Sequence, residues 1–446
     1  MPIGEIFMIF LAVFIHVFLI LAMTIAVVCL ESDCKKIIFW NLIITITSIL
    51  GFLVYFVFFC DKPKLKKSIK TKFEEDEVYK NLINFSVAKT SSNNETLNFN
   101  KRHYSAEIFK NNNIEVIDNH ELFLNTLSSD IEKASNYIII VNERFLDGIN
   151  NENIVALLKE KQTMGVDVKY IYGSVSFKNR KILKELRDSG VKLCRFNKFD
   201  KFNRYYKNAK DIISVDGDVA YIYSSLQQKS SDKPISCSNL YYKLTGEIVK
   251  SVDIDCHLDV TYATRKFYGM QKEEFLADGD IEMQYVSSVA DKDFEGLFLK
   301  AINDAKKRIV IHVHKFIPTP AIKQALQMAI MSGIDVKIML SKNNHSINYY
   351  SSRAYLKEMA MYGGMAYIYD GMIGSNFIII DNLTYVGDFS LVNLEIRNNQ
   401  QNVLIVNNSD FANKTLTYFN EMINNSYRIC KPKNVLFKEK IFKKFN

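Results

Sequence analysis

The hydrophobic pattern begins with two long apolar runs, Ile6–Leu30 and Ile37–Cys60. Each is long enough to cross a hydrocarbon core of about 30 Å as a helix, at about 1.5 Å of rise per residue. They predict two transmembrane helices within residues 1–62. The Lys-rich stretch DKPKLKKSIKTK follows the second run. Because positive charge stays on the cytoplasmic side, we expect both termini and the globular part to face the cytoplasm, as in a multi-pass protein of the cell membrane.

Residues 63–116 are first basic and then polar, which predicts a linker with little core of its own. The Lys cluster has two interpretations that both stay open. It contacts anionic lipid headgroups, or it serves only as a topology signal.

The remaining sequence repeats the same order of helix-type and strand-type patterns twice. The segments that begin at Leu122, Met164 and Ile182 match those that begin at Leu297, Ser332 and Tyr355. Each is an amphipathic helix or the end of one, followed by an apolar strand. This alternation predicts an α/β fold with two pseudo-symmetric lobes, residues 117–275 and 276–446. We expect a mostly parallel sheet with helices on both faces and a site between the lobes.

A fourth repeated pair ends each unit with a carboxylate. In NAKDIISVDG and in GSNFIIIDN, a short polar step leads into an apolar strand that stops at Asp216 or Asp381. Asp-Gly and Asp-Asn favour two-residue hairpin turns. Each Asp is therefore either the last member of a catalytic set or a turn residue.

Net charge and cysteine spacing exclude few classes of function. The formal net charge of +8 suits an anionic membrane surface or nucleic acid. The seven cysteines have no regular spacing, so we predict free thiols in a reducing compartment.

The duplicated α/β unit behind two apolar runs resembles the phospholipase D superfamily, and within it the bacterial cardiolipin synthases. YYKLTGEIVKSVDIDCHLDVTYAT and IVIHVHKFIPTPAIKQALQMAIMSGIDVKIML are similar to segments of that family. The resemblance implies one His-x-Lys-x4-Asp motif per lobe. In that chemistry one His attacks phosphorus and the other protonates the leaving alcohol. The Lys pair holds the phosphoryl oxygens, and each Asp orients a His.

Both motifs are degenerate here. The His positions hold Ala209 and Gly374, and the Lys positions hold Asp211 and Asn376, whereas Asp216 and Asp381 are kept. Ala and Gly carry neither a nucleophile nor a proton, and Asp211 would repel a phosphodiester. Loss of one essential nucleophile can cost on the order of 10⁶ in rate. No catalytic residue is therefore expected to be competent.

Other side chains are candidates for the same cleft. His312 and His314 lie at the end of a strand, and Asp388 and Asn399 stand in two downstream family motifs. His314 is the one we would test as a substitute. Asp211, Asp216 and Asp388 could in principle gather a divalent cation, but we predict no metal site and no cofactor.

Three functions remain open. The favoured one is a membrane-anchored pseudoenzyme that binds phospholipid or regulates or scaffolds an active relative. The second is an active cardiolipin synthase that joins two phosphatidylglycerols with non-standard residues, and the third is a nucleic-acid-binding relative. Expected partners are anionic lipid (phosphatidylglycerol or cardiolipin) and an active paralogue or a second copy, and the membrane spans argue against nucleic acid.

Overall fold

The structure is a computed structural model that describes most of the chain. The described residues are 14–25, 27, 34–47, 49–58, 91–196, 208–223, 237–264, 266, 268, 274–287, 294–342 and 347–429. They divide into two compact units, and the helices of residues 14–58 belong to the first. The second unit contains the duplicated part of the sequence.

The N-terminal unit is helical over residues 14–25 and in two further helices, α1 (Cys34–Thr47) and α2 (Ile49–Phe58). Within the described residues, none of these helices combines the length and the apolar character that a bilayer crossing requires. The predicted pair of transmembrane helices is therefore not supported, because α1 has 14 residues and α2 has 10.

The described part of the second unit contains one large sheet and two two-stranded sheets, with helices around them. Its helices are α3 (Glu95–Tyr104), α4 (His120–Lys133), α5 (Glu152–Thr163), α6 (Arg180–Asp188), α7 (Val249–Thr264), α8 (Glu295–Asp304), α9 (Pro320–Met331), α10 (Ile347–Tyr362), α11 (Asn393–Asn398) and α12 (Ser409–Ile423). Its strands are β1 (Ile108–Ile117), β2 (Tyr137–Arg144), β3 (Asp167–Ser174), β4 (Lys192–Arg195), β5 (Ile212–Val215), β6 (Val219–Tyr223), β7 (Cys237–Ser238), β8 (Tyr241–Gly246), β9 (Ile281–Ser287), β10 (Arg308–Val313), β11 (Phe316–Ile317), β12 (Asp335–Ser341), β13 (Met365–Tyr369), β14 (Met372–Ile373), β15 (Asn376–Ile380), β16 (Leu383–Gly387), β17 (Leu391–Val392), β18 (Asn402–Asn407) and β19 (Ser426–Arg428).

The sheet reflects the repeat in the sequence. Its order among the described strands is β19-β13-β12-β10-β15-β16-β18-β9-β1-β8-β6-β5-β2-β3-β4. The two halves meet where β9 pairs with β1, and β10-β12-β13 on one side corresponds to β2-β3-β4 on the other. The predicted pseudo-symmetric α/β arrangement agrees with this order.

The prediction of a mostly parallel sheet is wrong. Among the described strands of the large sheet, only β2-β3-β4 and β10-β12-β13 run parallel, and the other neighbours pair antiparallel. The physical reason is that β5-β6 and β15-β16 are tight hairpins, and a hairpin forces antiparallel pairing.

The predicted linker is also wrong in its second half. β1 occupies the centre of the sheet between β8 and β9, and Leu97 on α3 is fully buried in the core of the second half. The polar composition of β1 misled the prediction. Asn112 is buried there because its side chain donates to the carbonyl of Ile281 and accepts from the amide of Ile248.

Candidate functional site

The two degenerate half-sites meet at one edge of the sheet. Ala209 precedes β5, and Gly374 precedes β15. Because β5 pairs antiparallel with β2 and β15 pairs antiparallel with β10, both begin at the edge of the sheet where β2 and β10 end. A cleft of about 160 Å³ lies there. Its lining is drawn from both halves: Glu143, Ala209, His314, Lys315, Gly374, Asn376, Asp388, Phe389, Ser390, Glu395, Asn399 and Gln401. Of the predicted positions, Ala209, Gly374, Asn376, His314, Asp388 and Asn399 therefore come together.

Backbone contacts join the half-sites directly. The amide of Ala209 donates to the carbonyl of Gln400 at 2.9 Å, and the amide of Asp211 donates to Asp388 Oδ2 at 2.6 Å. Asn208 and Gln400 also form an isolated β-bridge. The vacated His position of the first half is thus fixed against the second half.

Asp211 is buried beneath the cleft and does not line it. Asn142 Nδ2 donates to Asp211 Oδ1 at 2.8 Å, and the amide of Glu143 donates to the same oxygen at 3.0 Å. Burial raises the pKa of Asp211 to about 8, so the group is mostly protonated at neutral pH. The expected repulsion of a phosphodiester by Asp211 is therefore weak, and the acidic cleft side chains Glu143, Asp388 and Glu395 are better placed to exert it.

Asn376 does not replace the charge of the missing Lys. Its Nδ2 donates to the carbonyl of Phe389 at 2.7 Å, and its Oδ1 accepts from the amide of His314 at 3.0 Å. Both ends of the side chain hold neighbouring backbone in place. A neutral amide engaged in this way offers no cation to a phosphoryl oxygen.

The space of the second His position is already filled. A Cβ added to Gly374 would lie 1.6 Å from Asn239 Oδ1 and 3.1 Å from the carbonyl oxygen of Ser238. Asn239 follows β7, which pairs with β14, and Ser375 Oγ accepts from the amide of Leu240 at 2.7 Å. The segment 237–240 thus crosses this half-site, and Asn239 Oδ1 lies where the Cβ of a side chain at 374 would be. Nothing in the local sequence around Asn239 signals this, since the contact joins positions 135 residues apart.

The histidine pair of HVHK is split between the core and the cleft. His312 is fully buried and stacks on Phe377 with ring centroids 4.3 Å apart, so it does not line the cleft. His314 lines it, with Nδ1 3.3 Å from Ser341 Oγ. Burial lowers the pKa of His314 to about 4, so its imidazole is neutral at pH 7. The adjacent Lys315 is engaged by Glu395 at 3.2 Å.

Asp216 and Asp381 lie at the opposite end of the strands from the cleft. Asp216 accepts the amides of Ser135, Asn136 and Tyr137 at 2.7, 2.9 and 2.7 Å. Because β5 and β15 run antiparallel to β2 and β10, these carboxylates cap the starts of β2 and β10.

Asp381 repeats the arrangement in the second half, where it accepts the amides of Lys306, Lys307 and Arg308 at 2.8, 2.9 and 3.0 Å. Both Asp residues have φ of 53°, in the left-handed region that suits a tight turn. The implied role of orienting a His is therefore wrong for this chain, and the turn interpretation is confirmed.

The acidic trio considered for a cation does not assemble, because Asp216 is at the far edge. No group of three or more His, Cys, Asp or Glu side chains suited to a metal ion occurs within the described ranges. His345, which the sequence places in the polar stretch KNNHSIN, lies outside the described residues. Of the predicted thiols, Cys194 and Cys256 form no disulfide in the part of the chain that the structure describes.

Comparison with known proteins finds similar sequences and a similar fold. Residues 298–423 match the family model described as "Cardiolipin synthase, PLD-like domain". The chain is 25% identical over 413 residues to a cardiolipin synthase of Oceanobacillus iheyensis, covering 84% of each chain. It is 24% identical over 423 residues to the major cardiolipin synthase ClsA of Bacillus subtilis, covering 86% of each.

Among solved structures, the fold is similar to a phosphatidylserine synthase of Haemophilus influenzae. The TM-score is 0.57 at 12% identity, covering 79% of this chain and 97% of that one. This likeness concerns the fold alone. In sequence the chain is similar to the cardiolipin synthases, and its residues 298–423 match the PLD-like domain of their family model.

Proposed function

We propose that this protein is a catalytically inactive relative of the cardiolipin synthases that binds phospholipid and regulates or scaffolds an active relative. The observation that carries the proposal is the second half-site. There the family's His position is a glycine, and Asn239 Oδ1 lies 1.6 Å from where the Cβ of a side chain would be. A side chain at 374 therefore requires Asn239 to move, and the carbonyl oxygen of Ser238 at 3.1 Å still crowds the Cβ.

The chemistry of the cleft supports the same proposal. Its ionisable lining contains three carboxylates, Glu143, Asp388 and Glu395, against Lys315 and a neutral His314. Lys315 is already paired with Glu395. Transfer of a phosphoryl group needs cations at the phosphoryl oxygens. The charged side chains that line this cleft are instead net negative.

Membrane anchoring is part of the proposal. Large apolar side chains of the N-terminal helices are exposed, among them Phe14, Phe18, Ile38 and Ile46 at 65, 62, 70 and 74%. Exposed apolar surface of this extent needs a lipid or protein partner. The cytoplasmic placement of the globular part rests on the Lys-rich stretch after residue 60.

The active-enzyme alternative depends on one observation, that His314 lines the cleft with a neutral imidazole. A neutral imidazole can attack phosphorus. The family reaction also needs a second His as the acid and a pair of Lys, and among the described residues no other His lines this cleft. His314 alone therefore supplies one of the required groups.

Restoring the family's His and Lys residues at the four motif positions is a further test of the proposal. We expect the fourfold variant Ala209→His, Asp211→Lys, Gly374→His, Asn376→Lys to stay inactive toward phosphatidylglycerol vesicles. The new imidazole at 374 collides with Asn239. We expect the fivefold variant that adds Asn239→Gly to release glycerol and form cardiolipin.

Asn239→Gly in the otherwise native chain is the matched control and should form no product. Activity in the fourfold variant would contradict the blocking role of Asn239. A folded fivefold variant without activity would contradict the expectation that these five side chains decide the activity, and would leave the acidic lining as the remaining obstacle.

A further inference from the structure

An exposed basic surface surrounds a single aromatic side chain in the first half of the sheet. We name it the Phe177 surface; its residues are Phe177, Lys178, Arg180, Lys181, Lys184 and Arg187. Phe177 is 82% exposed, the largest value among the exposed large apolar side chains described. An exposed aromatic ring surrounded by Lys and Arg is the combination found on protein surfaces that lie in the membrane interface.

The charges of this surface have one sign. All five of its cationic side chains are exposed on the loop before α6 and on α6 itself. The guanidinium of Arg180 stands 5.3 Å from the centre of the Phe177 ring. Of the nearby acids on α6, Glu185 is already held by Lys159 at 2.8 Å, and Asp188 is at the end of the helix. A net positive field therefore surrounds the aromatic ring.

The part of the Phe177 surface formed by Phe177, Lys178 and the start of α6 lies at the same edge of the sheet as the cleft, whereas the end of α6 with Arg187 lies towards the start of β4. Ser174, the last residue of β3, pairs with Arg144, the neighbour of the cleft residue Glu143. The amide of Phe145 donates to the carbonyl of Ser174 at 2.8 Å, and Asn179 Nδ2 donates to the carbonyl of Phe145 at 3.1 Å. These bonds fix the loop one strand away from the cleft lining.

We propose that the Phe177 surface docks on an anionic phospholipid membrane, with the Phe177 ring in the interfacial layer and the cations on the headgroups. Basic side chains near a membrane are attracted to anionic lipids, and aromatic rings favour the interface. Because the loop is fixed beside the cleft, this contact turns the cleft towards the headgroups. The choice of lipid as the partner rests on the proposed function. The inference adds the surface that contacts the lipid, and it does not depend on whether the cleft is catalytic.

A tryptophan reporter in the full-length chain tests the contact. The chain has one Trp, Trp40, so Trp40→Phe with Phe177→Trp leaves a single reporter at the proposed contact. The protein is reconstituted into phosphatidylcholine vesicles with and without phosphatidylglycerol, and with brominated acyl chains as the quencher. We expect a blue shift and quenching of the reporter at position 177 in the vesicles that contain phosphatidylglycerol. Phe177→Trp with Trp40 retained gives the same difference if Trp40→Phe disturbs folding.

Met164 provides a matched control. It is 65% exposed and apolar, but it caps α5 just before β3 begins and so lies at the opposite edge of the sheet. Met164→Trp in the same Trp40→Phe background should show the same emission wavelength and intensity in vesicles with and without phosphatidylglycerol. Lys178→Gln, Lys181→Gln and Lys184→Gln together should remove the quenching of the reporter at position 177 while the melting temperature is unchanged.

Three results would overturn the proposal. One is emission from the reporter at position 177 that is equal in all vesicles and in detergent. Another is equal quenching at positions 164 and 177. The third is a response of the position 177 reporter to a single-stranded oligonucleotide but not to vesicles, which would assign the surface to nucleic acid. Each of these measurements reports where the side chain at position 177 lies, and none of them depends on turnover. Failure of the membrane contact can therefore be told apart from failure of the proposed lack of catalysis.

Discussion

Replacing Lys210 with Met will destabilise the protein by about 3–5 kcal/mol, because it leaves two buried carboxylates without their cation. Lys210 Nζ lies 2.8 Å from Asp255 Oδ1 and 2.6 Å from Asp259 Oδ2, and all three side chains are buried. Burial alone lowers the pKa of Lys210, but the two carboxylates outweigh it and raise the pKa above its ordinary value. This cluster fastens the backbone next to Ala209 to α7.

The pH dependence of this variant has a defined sign. Burial raises the pKa of Asp259 to about 6 even with Lys210 present. A raised acid pKa means stability that is present at low pH and is lost as pH rises through the folded value. Without Lys210 the pKa of Asp259 rises further. The difference in melting temperature between the variant and the native chain should therefore increase from about pH 5 to about pH 8.

Thermal unfolding at those two pH values is the measurement. Lys210→Met combined with Asp255→Asn and Asp259→Asn is the control, and it should recover most of the lost stability because no charge remains unpaired. A single variant as stable as the native chain at the higher pH, or no recovery in the triple variant, would contradict the buried ion cluster.

Replacing Asp216 with Ala will cost about 4 kcal/mol, and replacing Asp381 with Ala about 2 kcal/mol. Each change removes the acceptor of three amides, at about 1 kcal/mol net for each hydrogen bond, and places Ala in the left-handed region at about 1–2 kcal/mol. Asp216 is buried, whereas water reaches the amides of Lys306 and Lys307 beside Asp381. The same deletion is therefore more costly in the first half.

Melting temperatures of the two variants measure this difference, with Asp188→Ala as the exposed control. Asp216→Asn should lie between the native chain and Asp216→Ala, because Asn tolerates the left-handed turn and keeps one acceptor oxygen. An Asp216→Ala chain as stable as the Asp188→Ala chain would contradict the structural role of the retained carboxylate.

The sequence predicts well what is local or periodic. The repeated helix-type and strand-type patterns located the elements of both halves, and the motif positions led to the cleft because Ala209 and Gly374 meet there. The Asp-Gly and Asp-Asn turns were predicted from residue type alone. These features depend on neighbours in the chain or on equivalent positions of a repeat.

The missed features depend on long-range contacts. β1 is a central strand whose polar residues are satisfied by distant backbone, as at Asn112. Asn239 contacts Gly374 from the segment between β7 and β8, and no pattern in the sequence indicates this contact. The protonation of Asp211 likewise results from burial, which the sequence does not encode at a single position.

Turnover of phosphatidylglycerol by the native chain decides whether this protein is an enzyme or a pseudoenzyme. The full-length protein is reconstituted in phosphatidylglycerol vesicles, and cardiolipin and glycerol are followed beside an active cardiolipin synthase as the positive control. We predict product no higher than in protein-free vesicles, because neither half-site holds the His and Lys that the transfer needs. Cardiolipin formation by the native chain that disappears with His314→Ala would contradict the account.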